Sequence, residues 1–394
     1  RFAKYYTPAI ILLALGMALV PPLLFHAPWT SSIYDALALL IVACPCALVV
    51  STPVAVVSAI GNAANRGVLI KGGLHLENMG SLKAIAFDKT GTLTRGEPVV
   101  TEIIPFGGVP EQEALAIAAA MEARSEHPLA RAIVRHAREK NALFKEARDF
   151  EANPGLGARA VVDGKPCLIG NPRLFEERGT PMEEVRPVLE DLQKRGRTAV
   201  LLGSGEQVIA LFALTDAVRD SAKQAVSQLK SIGVDKTVML TGDHEVTART
   251  VARTVGVDEY RAELLPEDKV EAVKELRKIH RRIGMVGDGI NDAPALAVAT
   301  TGIAMGGAGT DAALETADIV LMADDLSKLP FTVRLSRAAL KIIKQNIAFS
   351  LITKFAAVYL VFPGWLTLWL AIFADMGATL LVTLNSLRLM RIRP

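Results

Sequence analysis

The sequence predicts a doubly wound α/β domain, an α+β domain inserted into it, and a membrane helix hairpin on either side of the pair. Three observations predict this. Apolar residues crowd into 8–60 and 346–384, nearly all acidic residues lie between, and three short apolar strands in that interval end on acidic motifs. With 51% apolar residues among 394 and a mean hydropathy of +0.32, the chain is too apolar for an ordinary soluble enzyme. A net charge of +3, with no basic run interleaved with aromatics, speaks against a nucleic-acid partner. Two of the three cysteines flank one proline in an apolar stretch, which is no secreted disulfide framework. The start at Arg1, without Met or a signal-peptide pattern, gives the expectation that the chain begins inside a longer protein.

The first span runs from Pro8 to Phe25 and the second from Ile33 to about Ile60, where Pro45 is expected to break the helix in mid-membrane. The third covers roughly Ile347 to Phe362 and the fourth Leu366 to Leu384, joined by a Pro363-Gly364 turn. Lys4, Arg66, Lys71, Lys341, Lys344, Arg388, Arg391 and Arg393 all flank one side, which the positive-inside rule makes cytoplasmic. The bilayer is therefore the first expected partner.

Between the hairpins, Ala84 to Phe87, Thr237 to Leu240 and Ile283 to Val286 read as strands ending at Asp88, at Thr241-Gly-Asp243 and at Gly287-Asp-Gly289. Helical stretches at Asp220 to Ile232 and Glu245 to Val255 complete the pattern of a parallel sheet, whose ligands sit at such strand ends. The piece from Val99 to Ala213 differs, with helices over Glu111 to Ala123 and Pro128 to Lys140 and a strand-like stretch from Gly157 to Ile169. The expected organisation is membrane helices at 1–65 and 341–394, a discontinuous α/β domain at 66–98 and 214–340, and the insert at 99–213.

Asp88-Lys-Thr-Gly-Thr92 follows a strand directly, and a carboxylate there can attack a phosphoryl group and hold it as an acyl phosphate. Alone, the motif competes with an ordinary Asp in a strand-to-loop turn. Two more motifs agree with the chemical reading. Met285-Val-Gly-Asp-Gly-Ile-Asn-Asp292 sets Asp288 and Asp292 at another strand end, suited to Mg2+, and Thr241 can hydrogen-bond phosphate. Lys269, in Pro266-Glu-Asp-Lys269, supplies a positive charge for the same oxygens. With these three motifs in order, the chain resembles a P-type ATPase of the haloacid-dehalogenase-like superfamily. The resemblance implies ATP and Mg2+ as cofactors, Asp88, Thr90 and Asp288 around the Mg2+, and Asn291 beside Thr241 and Lys269 in catalysis. Soluble phosphatases of this fold usually carry a second Asp two residues after the nucleophile. Here Thr90 stands there, so the acyl phosphate is expected to hydrolyse slowly, as a pump requires.

In the insert, Glu122, Ser125-Glu-His127-Pro-Leu129, Gly155-Leu-Gly157 and Gly170-Asn171 resemble the adenine site of the heavy-metal branch. Taken alone, His127 reads as a helix cap or surface residue, and glycines fit wherever backbone closely approaches a ligand. The resemblance makes Glu122, His127, Gly155, Gly157, Gly170 and Asn171 the ATP pocket.

Cys44-Pro-Cys46 unwinds a membrane helix so that both thiol groups can face one ion, and thiolates select soft or borderline metals. A single cysteine in lipid is merely small and apolar; this pair upstream of Asp88 marks the heavy-metal branch. Lys354 and Asp375 are ionisable residues inside apolar spans, costly without a task. The plain alternative is that they snorkel to the interface. Asp375 adds a hard oxygen to two sulfurs, a set suited to Zn2+ or Cd2+ better than Cu+, and Lys354 is a built-in counter-ion for the empty site. Asp375-Met-Gly-Ala-Thr379 resembles the zinc, cadmium and lead exporters, with Met376 and Gly377 read as packing and Cys167 as structural. The expected function is therefore ATP-driven export of Zn2+, Cd2+ or Pb2+ across a bacterial cytoplasmic membrane. The rivals are a Cu+ pump and a membrane metal sensor with a nucleotide switch. The resemblance also implies an actuator domain with a Thr-Gly-Glu loop and further leading helices; no Thr-Gly in this sequence precedes Glu, so they are expected partners from the rest of a longer protein.

Overall fold

The computed structural model describes the chain apart from residues 1, 45, 126, 144, 154, 289–291, 307–314, 362–364, 366 and 394 and the side chains of 2–5. Pro45, Asn291 and the Pro363-Gly364 turn lie outside the described residues. The elements begin with α1 (Phe2–Phe25), α2 (Trp29–Ala43), α3 (Cys46–Asn65), β1 (Val68–Ile70), α4 (Gly73–Gly80) and β2 (Ala84–Asp88). After a tight turn at Lys89–Leu93 come β3 (Val99–Pro105), α5 (Glu111–Glu122), α6 (Pro128–Glu139), β4 (Ala147–Asn153), β5 (Gly157–Val162) and β6 (Lys165–Gly170). Next are α7 (Pro172–Glu177), α8 (Arg186–Lys194), β7 (Thr198–Ser204), β8 (Gln207–Thr215), α9 (Asp220–Ser231), β9 (Lys236–Leu240), α10 (Glu245–Val255) and β10 (Glu259–Arg261). The chain ends with α11 (Pro266–His280), β11 (Ile283–Gly287), α12 (Ala293–Val298), β12 (Thr301–Gly306), β13 (Ile319–Met322), α13 (Lys328–Val361), α14 (Leu368–Leu387) and a 3-10 turn at Arg388–Arg391.

Two compact units result: residues 1–66, 70–80 and 331–394, and residues 67–69 and 81–330. In the first, the described stretches Tyr6–Phe25, Trp29–Asn65 and Leu368–Arg391 are long and apolar enough to cross a membrane. The expected third span is instead the last part of the 34-residue α13, and it is not among these; its fifteen described residues continue a helix that carries Arg334, Arg337, Lys341 and Lys344. The expected second span is divided: α2 stops at Ala43, Cys44 turns extended (φ −58°, ψ 124°), and α3 starts at Cys46. Residues 70–80 and 331–340, assigned from sequence to the α/β domain, belong to this helical unit. A Cβ at Gly80 would stand 2.9 Å from the Ser336 backbone, so α4 packs directly on α13.

The second unit holds two sheets. The seven-stranded one has the order β1-β13-β12-β11-β2-β9-β10, with parallel pairing from β13 through to β10. β2 and β11 are buried along their whole length, which is why both read as unbroken apolar runs instead of alternating ones. α11 and α12 cover one face through Ala272, Val273, Leu276, Ala295 and Leu296. After β2 the chain proceeds outward through β9 and β10, then returns to lay β11, β12 and β13 on the other side. The carboxyl ends of β9, β2 and β11 meet where the winding reverses, the crevice in which open α/β sheets hold ligands.

The inserted sheet is antiparallel, in the order β3-β8-β7-β6-β5-β4. Val200 and Leu202 face α5 and α6, whereas Ala199 and Leu201 face α7 and α8, the period of two that a sheet covered on both faces requires. The strand-like stretch from Gly157 to Ile169 is a hairpin of β5 and β6. Asp163 (φ 51°) and Gly164 (φ 74°) form its two-residue turn, an Asp-Gly signal that the reading of one strand-like stretch passed over. At the far end of the hairpin, Gly157 (φ 154°) lies so close to β6 that a Cβ would meet the Ile169 carbonyl at 2.1 Å. Gly157→Ala is expected to cost more than about 3 kcal/mol in urea unfolding. Gly61→Ala, in α3 with nothing within 4 Å, should stay within about 1 kcal/mol of wild type.

Candidate active site

β2 carries Asp88 to the crevice and the chain then leaves the strand abruptly. Thr90 is extended (φ −75°, ψ 126°) and Gly91 left-handed (φ 75°, ψ −11°), a conformation that explains the glycine. Lys269, in the first turns of α11, donates to Asp88 Oδ1 at 2.5 Å and to Asp292 Oδ1 at 2.9 Å. Both carboxylates are almost sealed from solvent, 4% and 1% exposed. Burial, then the charge of Asp292, push the Asp88 carboxyl up to about 7, against the pull of Lys269. Asp292 is also raised, by burial first and with Asp288 adding to it. Lys269 is raised: its two carboxylate partners outweigh the desolvation that would lower it.

Next to this trio, Lys89 Nζ donates to Asp243 Oδ2 at 2.5 Å, joining the β2 and β9 loops. The Thr241 hydroxyl accepts the Asp243 N–H at 3.1 Å, and the Thr241 carbonyl accepts from Leu264 N–H at 3.1 Å. Among the described residues, Thr92 Oγ1 and Asp292 Oδ2 are buried without a hydrogen-bond partner. An orphaned carboxylate oxygen among three Asp groups that repel one another fits a hard cation such as Mg2+, which takes oxygen donors. Asp88, Asp288, Asp292, Lys269 and Thr241 thus converge. Thr90 is half-buried in the same turn. The sequence reading missed the Lys89–Asp243 pair, although Asp243 stood in a strand-end motif, and it missed Asp216 and Arg219, which no motif announced.

In the insert, Glu122 ends α5, and burial pushes it up to about 7 against a hydrogen bond with Ser125. His127 caps α6, its Nδ1 accepting the Leu129 N–H at 3.3 Å. Solvent reaches the ring, yet the protein around it desolvates it and, with Arg131 and Lys89 nearby, holds its pKa below the ordinary value. Gly155, Gly157, Gly170 and Asn171 do come together. Asn171 caps α7 through Leu174 N–H at 3.1 Å and donates to the Gly155 carbonyl at 3.0 Å. A shallow cavity of about 420 Å³ opens beside them, lined by Asn153, Leu156, Leu174, Glu177 and Arg178. Gly157 and Gly170 have a reason to be glycine that needs no ligand: a Cβ at Gly170 would meet the Leu156 carbonyl at 2.3 Å.

In the helical unit, Cys44 and Cys46 are joined as a disulfide with Cα atoms 5.5 Å apart. The break frees main-chain carbonyls that a continuous helix would satisfy. Lys354 donates to those of Val42, at 3.0 Å, and Cys44, while the Tyr6 hydroxyl donates to that of Ala43 at 3.0 Å. Lys354 also pairs with Asp375 Oδ1 at 3.0 Å. Cys44, Lys354 and Asp375 are therefore neighbours, and Tyr6 is a member that sequence patterns did not single out.

A buried Asp after a parallel strand, an ammonium bridging it to a second carboxylate, and an inserted domain define a haloacid dehalogenase-like enzyme, and residues 82–300 match the family model of the haloacid dehalogenase-like hydrolases. The chain is 32% identical to a solved catalytic domain of the CPx-ATPase CopB-B, covering 70% of this chain and 98% of that one with a TM-score of 0.55. It is 46% identical to a crystallised zinc-transporting PIB-type ATPase in its E2·Pi state, over 99% of this chain and 63% of that one, with a TM-score of 0.73. It is 53% identical over its whole length to a probable cadmium-transporting ATPase of Alkalihalophilus pseudofirmus, of which it covers 55%. The chain belongs to the haloacid dehalogenase-like hydrolases and, within them, to the P-type ATPases of the PIB or CPx branch. It spans about half the length of the curated relatives it matches.

Because the folded Asp88 carboxyl titrates above an unfolded one, the folded state holds its proton more tightly, and stability from this group falls as pH rises from about 4 to about 7. Asp88→Asn is expected to unfold at higher temperature than wild type at pH 8, with the difference shrinking toward pH 5. An equal difference at both pH values would assign the effect to something other than the buried charge.

Proposed function

We propose that this chain forms the catalytic and cation-binding parts of a pump that exports a soft divalent metal ion, zinc, cadmium or lead, driven by ATP through an aspartyl phosphate at Asp88. The observation that carries the reading is the Lys269 ammonium held between Asp88 and Asp292 at the strand ends. The same chain places Cys44, Lys354 and Asp375 together in apolar helices.

The ionised Asp88 carboxylate attacks the γ-phosphorus of ATP. The new O–P bond forms as the bond to the β,γ-bridging oxygen breaks, and ADP leaves. Lys269, already at hydrogen-bond distance from Asp88, offsets the negative charge of the phosphoryl oxygens, and the Thr241 hydroxyl is poised to donate to one of them. Asp88, Thr90, Asp288 and Asp292 would hold Mg2+, with Asn291 assigned to catalysis from its motif alone. Bound there, the metal would draw charge from the transferring group. Thr90 lacks a carboxylate to activate water, which favours a persistent intermediate. Glu122, His127, Gly155, Gly157, Gly170 and Asn171 are assigned to the nucleotide pocket.

For the cargo, the reduced thiolates of Cys44 and Cys46 with one oxygen of Asp375 make a mixed sulfur and oxygen set that suits Zn2+ or Cd2+ better than Cu+. The similar proteins include a probable cadmium-transporting ATPase and a zinc-transporting one, which supports the same choice. Lys354 must release Asp375 for a cation to bind, so loading exchanges an ammonium for a metal. A bacterial cytoplasmic membrane is the expected location.

Purified, reduced protein incubated with labelled Mg-ATP should acquire acid-stable, hydroxylamine-labile label with Zn2+ or Cd2+ and none as Asp88→Asn. Label responding to Cu+ alone would replace the cargo, and label independent of every metal would separate the chemistry from the membrane site. Asp375→Asn and Cys44→Ser are each expected to lower metal-stimulated labelling at least about tenfold, the scale on which a lost metal ligand acts.

A further inference from the structure

Residues 93–96 lead out of the α/β domain into the insert, and residues 216–219 lead back. The two crossings are zipped together. Arg95 N–H donates to the Ala217 carbonyl at 2.9 Å, Arg219 N–H to the Leu93 carbonyl at 2.9 Å, and Thr94 bridges Val218. Asp216 tightens the join, accepting from the Thr94 hydroxyl at 2.5 Å and from Gly96 N–H at 3.1 Å.

The side chain of Arg219 turns from this join toward the turn that follows Asp88. Its Nε donates to the carbonyls of Thr92 at 3.1 Å and Thr94 at 2.9 Å, and its Nη2 to that of Gly91 at 3.0 Å. Its Nη1 reaches the carbonyl of Asp324 at 3.1 Å. That residue has a left-handed φ of 52° in the loop leading into α13. A guanidinium has five N–H donors in a rigid fork, and here they are directed at main-chain oxygens, with Asp324 Oδ2 no nearer than 3.8 Å. The turn is closed from its other sides as well. The Thr94 hydroxyl donates to the Lys89 carbonyl at 2.9 Å, and Gly96 approaches so closely that a Cβ there would lie 2.8 Å from Gly91 Cα.

We propose that Arg219 is a positioning residue for phosphoryl transfer: it holds the Gly91, Thr92 and Thr94 carbonyls in one arrangement, and through them fixes the turn on which Asp88 and Thr90 sit. This rests on the reading of Asp88 as the phosphorylated residue. Arg219 does not touch the reacting atoms. It substitutes a prearranged set of bonds for the reorganisation that a loose turn would need at each turnover. Lysine, with a compact ammonium in place of the fork, satisfies only part of the set.

The test compares wild type, Arg219→Lys and Arg219→Gln as the full membrane-embedded protein, with Asp88→Asn as control. Three quantities are read: the initial rate of hydroxylamine-labile labelling at saturating Mg-ATP, the affinity for a fluorescent ATP analogue, and the thermal midpoint. The proposal expects labelling in Arg219→Gln to fall at least tenfold with nucleotide affinity within twofold of wild type, and Arg219→Lys to recover part of the rate. Labelling within twofold of wild type in Arg219→Gln overturns the proposal and leaves Asp88 in place. A parallel loss of rate, affinity and midpoint in both variants also overturns it, making Arg219 a general fold residue. A wild-type protein that takes no label overturns both readings.

Discussion

The catalytic unit depends on one ammonium group shared by two carboxylates. Asp88 and Asp292 come from different segments of the chain and are both buried, and the charge of Asp292 raises the proton affinity of Asp88. Without Lys269 the pair would be held together only by protonation. The reversal of winding beside β2 explains why the charges meet: adjacent parallel strands must end on one side of the sheet, and three of them end there in acidic loops. The buried ion pairs are therefore a poor source of stability and a good source of chemistry. Burial and the charge of Asp292, against the pull of Lys269, bring the Asp88 carboxyl to about 7, where a modest change in local charge alters its protonation.

The helical unit solves a related problem without water. Interrupting a membrane helix at Cys44 exposes main-chain carbonyls to a medium that cannot solvate them, and Lys354 and Tyr6 supply the missing donors. Lys354 serves the helix break and Asp375 at once. Backbone satisfaction and charge neutrality are met by the same atom.

Much of this was legible in the sequence because it is local. Ala84 to Phe87 and Ile283 to Val286 are apolar runs with no alternation, and each acidic motif sits directly after its strand. α10 could be bounded by Glu245 and Val255 because an apolar stripe ends at Gly256, whose φ of 83° stops the helix. The losses are equally physical. The β5–β6 hairpin was passed over because apolar residues continue on both sides of Asp163-Gly164. Residues 70–80 and 331–340 were placed in the α/β domain because α4 has no membrane-like pattern, and its contacts with α3 and α13 are long-range packing that no local pattern announces. Arg219 was invisible because its partners are carbonyls, which every residue possesses. The glycines of the insert were legible as a cluster, but Gly157 and Gly170 serve the approach of two strands before they serve any ligand.

The zipped crossings have a consequence for the history of the chain. Residues 94 and 218 touch, so the insert leaves and re-enters its host at what is effectively one point. A module attached in this way can be lengthened, shortened or exchanged without altering the distance its host must span, and the host sheet can close behind it with a short loop. The insert and the host sheet of such a chain are therefore free to change at different rates, provided that the few residues at the join do not.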